Sequence, residues 1–246
     1  MKKIFKNLVL FLMLIMSTLT FAKGKLYVGT NAEFPPFEYL DKGEVVGFDI
    51  DLVKAIGEKL GMEIVIKDMA FDGLIPALET NKIDIVIAGM TASDERKMAV
   101  NFSNPYYTAN QVIILNDNNS DIKTFDDLKG KLVGVMLGFT GDVVVSEMKD
   151  VKSKKYNASY AAIMELQNNK IDAVVLDSET ALNYVKNNKG LKLAETSGEP
   201  EEYAIAISKK NSELLNKINT ALDELKKDGT YEALLKKRLS KFGKRY

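Results

Sequence analysis

Apolar and polar positions along this chain switch between two periods. The run "KLYVGT" (25–30) is short and β-rich, "FDIDLVKAIGEKLG" sets Leu52, Val53, Ile56 and Leu60 on one helical face, and "EIVIKD" (63–68) is strand-like again. Phe71 to Thr80 then predicts a helix, Ile83 to Ala88 a buried strand, and Ser93 the N-cap of a short helix containing Arg96. Beyond residue 130 the order resumes, with "KLVGVML" as strand, Gly141–Lys149 and Ala161–Asn168 as helices and "IDAVVL" as strand. Ser212–Lys227 and "DGTYEALLKKRL" predict two closing helices. Alternation of this kind predicts an α/β fold with largely parallel sheets flanked by helices.

An internal echo divides that fold. "NKIDIVIAG" (81–89) returns as "NKIDAVVLD" (169–177), Ile75 and Leu78 are echoed by Ile163 and Leu166 on the preceding helices, and "GKLYVG" from Gly24 resembles "GKLVGV" from Gly130. The match is too loose for a solenoid repeat; it predicts two lobes built by one helix-then-strand device. Gln111–Leu115 is the expected crossover into the second lobe, and "EYAIAIS" (202–208) the return. The expected division is lobe one at 23–110 and 204–246, and lobe two at 111–203, joined by a two-strand hinge. Ligands of open parallel sheets bind at the carboxyl ends of the strands, so the cleft is expected where the two sets of strand ends face each other.

Composition narrows the chemistry. Lys2, Lys3 and Lys6 precede an uncharged apolar run of 16 residues from Asn7 to Ala22, short for a membrane span of about 20 residues. Residues 1–22 are therefore expected to be an export signal cut after Ala22, with an uncleaved anchor as the alternative. With no cysteine there is no disulfide, no thiolate nucleophile and no lipid-accepting residue at that junction, which favours a freely soluble exported protein. With no histidine there are no imidazole-based triads or zinc sites; no loop has the acidic spacing of a calcium site, so neither cofactor nor metal is expected. A balanced chain without a basic block argues against nucleic acid as a partner.

One cation stands out. Of the 34 lysines and arginines only three are arginines, and two of these, Arg238 and Arg245, fall in a basic tail expected to be merely solvated. Arg96 alone serves the body of the chain, four residues after the loop Ala88-Gly89-Met90-Thr91-Ala92 that follows a predicted strand. The other predicted strand ends carry Asn31-Ala32-Glu33-Phe34, Gly138-Phe139-Thr140 and Asp177. A guanidinium offers a planar fork that holds a carboxylate by two bonds, backbone N–H groups at the Thr140 helix start add donors, and Asp177 from the opposite lobe complements an ammonium. An α-amino acid carries both charges on one carbon. A local ion pair with Asp94 or Glu95 is the other reading of Arg96, and an N-cap that of Asp177. Phe34 and Phe71 are either aromatic walls or plain core.

The stretches "GTNAEFPPFEY", "GFDIDLVKAI", "MAFDGLIPAL", "KIDIVIAGMTASDER", "FSNPYY", "LKGKLVGV", "IDAVVLD" and "DGTYEALLKK" together resemble the family 3 periplasmic solute-binding proteins of polar amino-acid ABC transporters. The resemblance covers nearly all of the chain after residue 22. It implies a monomeric, two-lobed periplasmic binding protein, not an enzyme, that closes on one free amino acid and presents it to a membrane permease. It also implies roles: Arg96 for the ligand carboxylate with Thr91 and Thr140 as polar helpers, the Gly89 carbonyl and Asp177 for the α-amino group, and Phe34 and Phe71 as walls, with Met90, Gly138 and Phe139 alongside. Phe139 stands where members commonly have a small hydroxyl residue, and Ala88 where some have serine. Asn31 and Glu33 are candidates for a cationic side chain, Glu33 alternatively facing solvent, which leans to arginine, lysine or histidine over glutamine or cystine. An exported prephenate-type dehydratase, with Glu33 as general acid, is the catalytic alternative within the same fold.

Overall fold

The computed structural model describes residues 24–239; the expected export signal and Arg245 lie outside them. The strands run β1 (Lys25–Thr30), β2 (Glu33–Phe34), β3 (Glu38–Asp41), β4 (Glu44–Val46), β5 (Glu63–Asp68), β6 (Ile85–Val86), β7 (Asn101–Phe102), β8 (Tyr107–Asn116), β9 (Leu132–Met136), β10 (Lys152–Tyr156), β11 (Ala173–Asp177), β12 (Leu191–Tyr203) and β13 (Ala206–Ile207). They form one five-stranded sheet in the order β5-β1-β6-β13-β7, a second in the order β10-β9-β11-β8-β12, and a small β2-β3-β4 meander. Each large sheet is mixed. Its first three strands are parallel, as the alternation predicts, and antiparallel ladders add the other two.

The sequence echo is a structural one. Asn81 and Asn169 both take left-handed backbone, at φ 56 and φ 54, turning the chain from a helix towards β6 and β11. Asparagine tolerates that conformation better than most residues. Three residues on, the Asp84 carboxylate accepts the Tyr27 amide at 2.8 Å and the Asp172 carboxylate accepts the Leu132 amide at 2.7 Å. Each aspartate thus pins its incoming strand to the neighbouring parallel strand, β6 to β1 and β11 to β9; β6 leads into the Gly89–Thr91 loop in one lobe, and β11 ends at Asp177 in the other.

Helices follow the apolar spacing. Phe48–Leu60 buries Phe48, Ile50, Leu52, Val53 and Ile56, and Ser212–Lys227 buries Leu214, Ile218, Ala221, Leu222 and Leu225, with the Asn211 side chain capping the Leu214 amide. The tail expectation fails for Arg238. Its guanidinium holds both Asp51 oxygens, at 2.8 and 3.1 Å, tying the helix Thr230–Arg238 to the first turn of Phe48–Leu60.

Two strands carry the chain between lobes, but the first begins earlier than the expected crossover. β8 pairs with β12 from Tyr107↔Tyr203 onward, so Gln111–Leu115 already lies inside the second sheet. The return segment is interrupted, because Ala204 and Ile205 separate β12 from β13. At that break Ala204 donates to the Met90 carbonyl at 3.1 Å and Tyr106 to the Tyr203 carbonyl at 2.9 Å. Among the described residues no helix is long and apolar enough to cross a membrane.

Candidate functional site

Ser93 caps the helix Asp94–Ala99, its Oγ accepting the Arg96 amide at 3.3 Å. This fixes the start of a short helix that turns Arg96 inward. The Arg96 guanidinium donates to the Thr91 carbonyl at 2.8 Å in its own lobe and to the Gly138 carbonyl at 2.9 Å in the other, and its carbon lies 5.2 Å from the centre of the Phe71 ring. It makes no ion pair among the described residues; Asp94 pairs instead with Lys97. Burial depresses the Arg96 pKa, while Asp177 and then Glu201 pull it back up. The alternative of a local ion pair therefore fails for Arg96.

Asp177 ends β11 fully inside the protein, 3% exposed. It stands at the N-cap position of the helix Ser178–Asn187 but its side chain makes no cap hydrogen bond. The carboxylate instead accepts the Tyr203 hydroxyl. Burial first, and then the charge of Glu201, raise its pKa to about 7, against hydrogen bonds from Tyr203 and Gln111 that lower it.

Thr91 and Thr140 meet across the cleft, Thr140 Oγ1 donating to Thr91 Oγ1 at 3.1 Å, and Thr91 donates in turn to Glu201 at 2.8 Å. Gly89 has φ 53, and a Cβ there would lie 3.0 Å from the Phe34 ring, so glycine is required. Its amide is held by Asp49 at 2.8 Å, whose carboxylate also accepts the Tyr106 hydroxyl at 2.7 Å. Gly138, at φ 77, donates to Asp142 at 3.1 Å. Met90 is buried, and its carbonyl is spent on the hinge bond to Ala204.

The aromatic residues form a row. Phe139, from the second lobe, stacks on Phe71 at 3.7 Å and reaches Phe34 at 4.9 Å. Phe34 is 0% exposed and Phe71 7%. Both thus belong to the core and to the lobe-lobe contact at once.

At the far end Asn31, 5% exposed, donates to the Met69 carbonyl at 3.0 Å while its Oδ1 is buried without a partner. Glu33 is half-buried, its pKa raised by burial and then by Asp68. Its carbonyl accepts Ser159 Oγ at 2.5 Å, and Ser159 also meets the Tyr184 hydroxyl at 2.7 Å. Glu201, Gln111, Asp68, Ser159 and Tyr184 were not singled out from the sequence. Of these, Asp68 carried a signal there, as a charge at the end of the predicted strand 63–68. A cavity of about 590 Å³ takes in Phe71, Met90, Arg96, Gly138 and Thr140 with Ile75 and Val143, so it adjoins the guanidinium side of the site. Among the described residues no group of three or more acidic side chains is placed to hold a metal.

Residues 26–241 match the bacterial extracellular solute-binding proteins, family 3. The arginine-binding extracellular protein ArtP of Bacillus subtilis strain 168 is 39% identical over 221 residues, 87% of this chain and 86% of that protein. Among solved structures, an ancestral arginine-binding protein bound to arginine superposes with a TM-score of 0.85 at 50% identity, covering 88% of this chain and 99% of that one. The ancestral amino acid-binding protein AncCDT-1, described as a precursor of cyclohexadienyl dehydratase, superposes at 0.84 with 40% identity over 89% and 96% of the two chains.

Proposed function

We propose, because this chain belongs to the bacterial extracellular solute-binding proteins of family 3, that it captures one free L-amino acid between its lobes and delivers it to the permease of an ABC importer. The observation that carries this is the relation of Arg96 to Asp177: an arginine without an ion pair among the described residues, held by carbonyls from both lobes, under the attraction of a buried carboxylate that caps nothing. The ligand carboxylate takes the guanidinium, with Thr91 and Thr140 beside it, and the ammonium takes Asp177.

The side chain is that of arginine, lysine or histidine. Support comes from the distal end, where the unpartnered Asn31 Oδ1 and the neighbouring carboxylates of Glu33 and Asp68 form an acceptor-rich cluster, and from the arginine named for two of the three proteins above. Phe34, Phe71 and Phe139 flank the stem, and the Gly89 carbonyl, Met90 and Gly138 complete the lining.

Function requires closure and no covalent step. A ligand bound to one lobe gains contacts to the other only when they meet, and this difference in affinity shifts the open-closed equilibrium. The lobes divide at the paired β8 and β12 strands. Export by residues 1–22, a soluble periplasmic monomer and a non-catalytic role belong to the same reading. Titration of ligand-stripped protein with the twenty amino acids, ornithine and cystine tests it; saturable binding confined to the cationic ones is expected, a neutral ligand would discard the role of Glu33, and turnover of prephenate would replace binding by catalysis.

A further inference from the structure

We propose that Glu201, on the return strand of the hinge, is a second ligand-binding carboxylate that seats the ammonium group together with Asp177. This rests on the amino-acid reading of the cleft and adds a residue to it.

Glu201 occupies the polar centre of the site. Its Oε2 accepts Thr91 Oγ1 at 2.8 Å and Gln111 Nε2 at 3.3 Å, and Thr91 is the residue whose carbonyl holds Arg96. Both bonds fall on one oxygen; among the described residues Oε1 accepts no hydrogen bond. Gln111, 2% exposed, links the two acids, donating to Glu201 and steadying Asp177. The groups that face this pair are Arg96 from the helix Asp94–Ala99, Glu179 from Ser178–Asn187 and Tyr203 from β12.

Two carboxylates therefore converge near one guanidinium without pairing to it. A zwitterion laid between them satisfies both sides, its carboxylate on Arg96 and its ammonium, with three donors, shared by Asp177 and Glu201. Glu201 also explains why Asp177 retains a proton near neutrality, since its charge is the largest cause after burial. An arriving ammonium reverses that repulsion, so binding expels a proton. Because Glu201 lies two residues before the Tyr203 end of β12, it couples ammonium capture to the strand on which the lobes turn.

The test is calorimetric titration of the full-length mature protein with its best amino acid at pH 7, in two buffers of different ionisation enthalpy. The wild type is expected to release a fraction of a proton per ligand. Glu201→Gln, which keeps the shape and the Thr91 contact, is expected to bind about tenfold or more weakly and to release less, since Asp177 is then ionised beforehand. Glu201→Asp is expected to retain the release. Unchanged affinity in Glu201→Gln overturns the proposal. So does weaker binding with the wild-type proton count, which would leave Glu201 only a support for Thr91. If the wild type binds no amino acid at all, the ligand reading fails first and this seat with it.

Discussion

Phe71 of one lobe and Phe139 of the other stack ring on ring, centroids 3.7 Å apart and planes 27° from parallel, with Arg96 also set against the Phe71 ring. In the proposed open-closed cycle the stack breaks when the lobes part, because the two rings sit on different lobes. An aromatic pair contributes about 0.5 to 1.5 kcal/mol beyond its burial. Phe139→Ala is therefore expected to shift the ligand-free protein towards the open form, raising its radius of gyration in solution scattering while leaving the thermal midpoint nearly unchanged. An equal loss of thermal stability would make Phe139 an ordinary core residue.

Arg96→Ala is expected to weaken amino-acid binding by about 2 to 5 kcal/mol, since the ligand carboxylate would remain buried without its partner. Arg96→Lys should recover little of this, because an ammonium cannot reproduce the two-pronged bond or span the Thr91 and Gly138 carbonyls. Equilibrium titration of the two variants measures both.

Asp177 is expected to give binding a pH dependence. Its pKa of about 7 in the ligand-free protein means that a proton competes with the ammonium, so affinity should fall as pH drops from 8 to 5, by up to about tenfold per unit below neutrality. Asp177→Asn should bind weakly and lose the slope. A flat wild-type profile would place the ammonium elsewhere.

Glu38 and Asp49 form a buried acid pair beneath the Gly89 loop, both 0% exposed. Burial and the neighbouring Asp49 hold the Glu38 pKa well above the usual carboxylate range, and burial raises that of Asp49 to about 6. The folded state then keeps a proton that the unfolded chain releases above about pH 4.5. The stabilisation is complete below that value and is lost as pH rises through the folded pKa. Glu38→Gln is expected to flatten this decline, gaining about 1.4 kcal/mol at pH 8 for each unit by which the pKa is raised. Denaturant melts of both proteins at pH 5 and pH 8 decide it; parallel losses would acquit Glu38.

The elements that read clearly in the sequence are those with strong periods or caps. The helix Ser212–Lys227 and the Ser93 cap stand where apolar spacing and side-chain chemistry put them, and the 81–89 and 169–177 echo became two matching asparagine turns and aspartate clamps. The meander β2-β3-β4 and the strand β10 were not legible. β10 reads "KSKKY", an edge strand whose charges hide its period. Among the candidate site residues, Arg96 stood out as the one arginine in the body of the chain and Asp177 as an acid at a predicted strand end. Glu201 did not, because its proposed role depends on β12 lying beside β8, a long-range pairing that places it against Gln111 and Thr91. Phe139 was visible as a residue, but its insertion against Phe71 and Phe34 depends on how the lobes meet.

The central claim, that Arg96 and Asp177 clamp an amino-acid zwitterion, is tested most directly by titrating ligand-stripped protein with arginine, lysine and histidine beside agmatine, cadaverine and histamine, which keep the cationic side chain and lose the carboxylate. Saturable binding of at least one amino acid, and binding of its amine weaker by about 100-fold or more, is the predicted result. Equal affinity for acid and amine, or no binding of any of the three amino acids, would contradict the assignment.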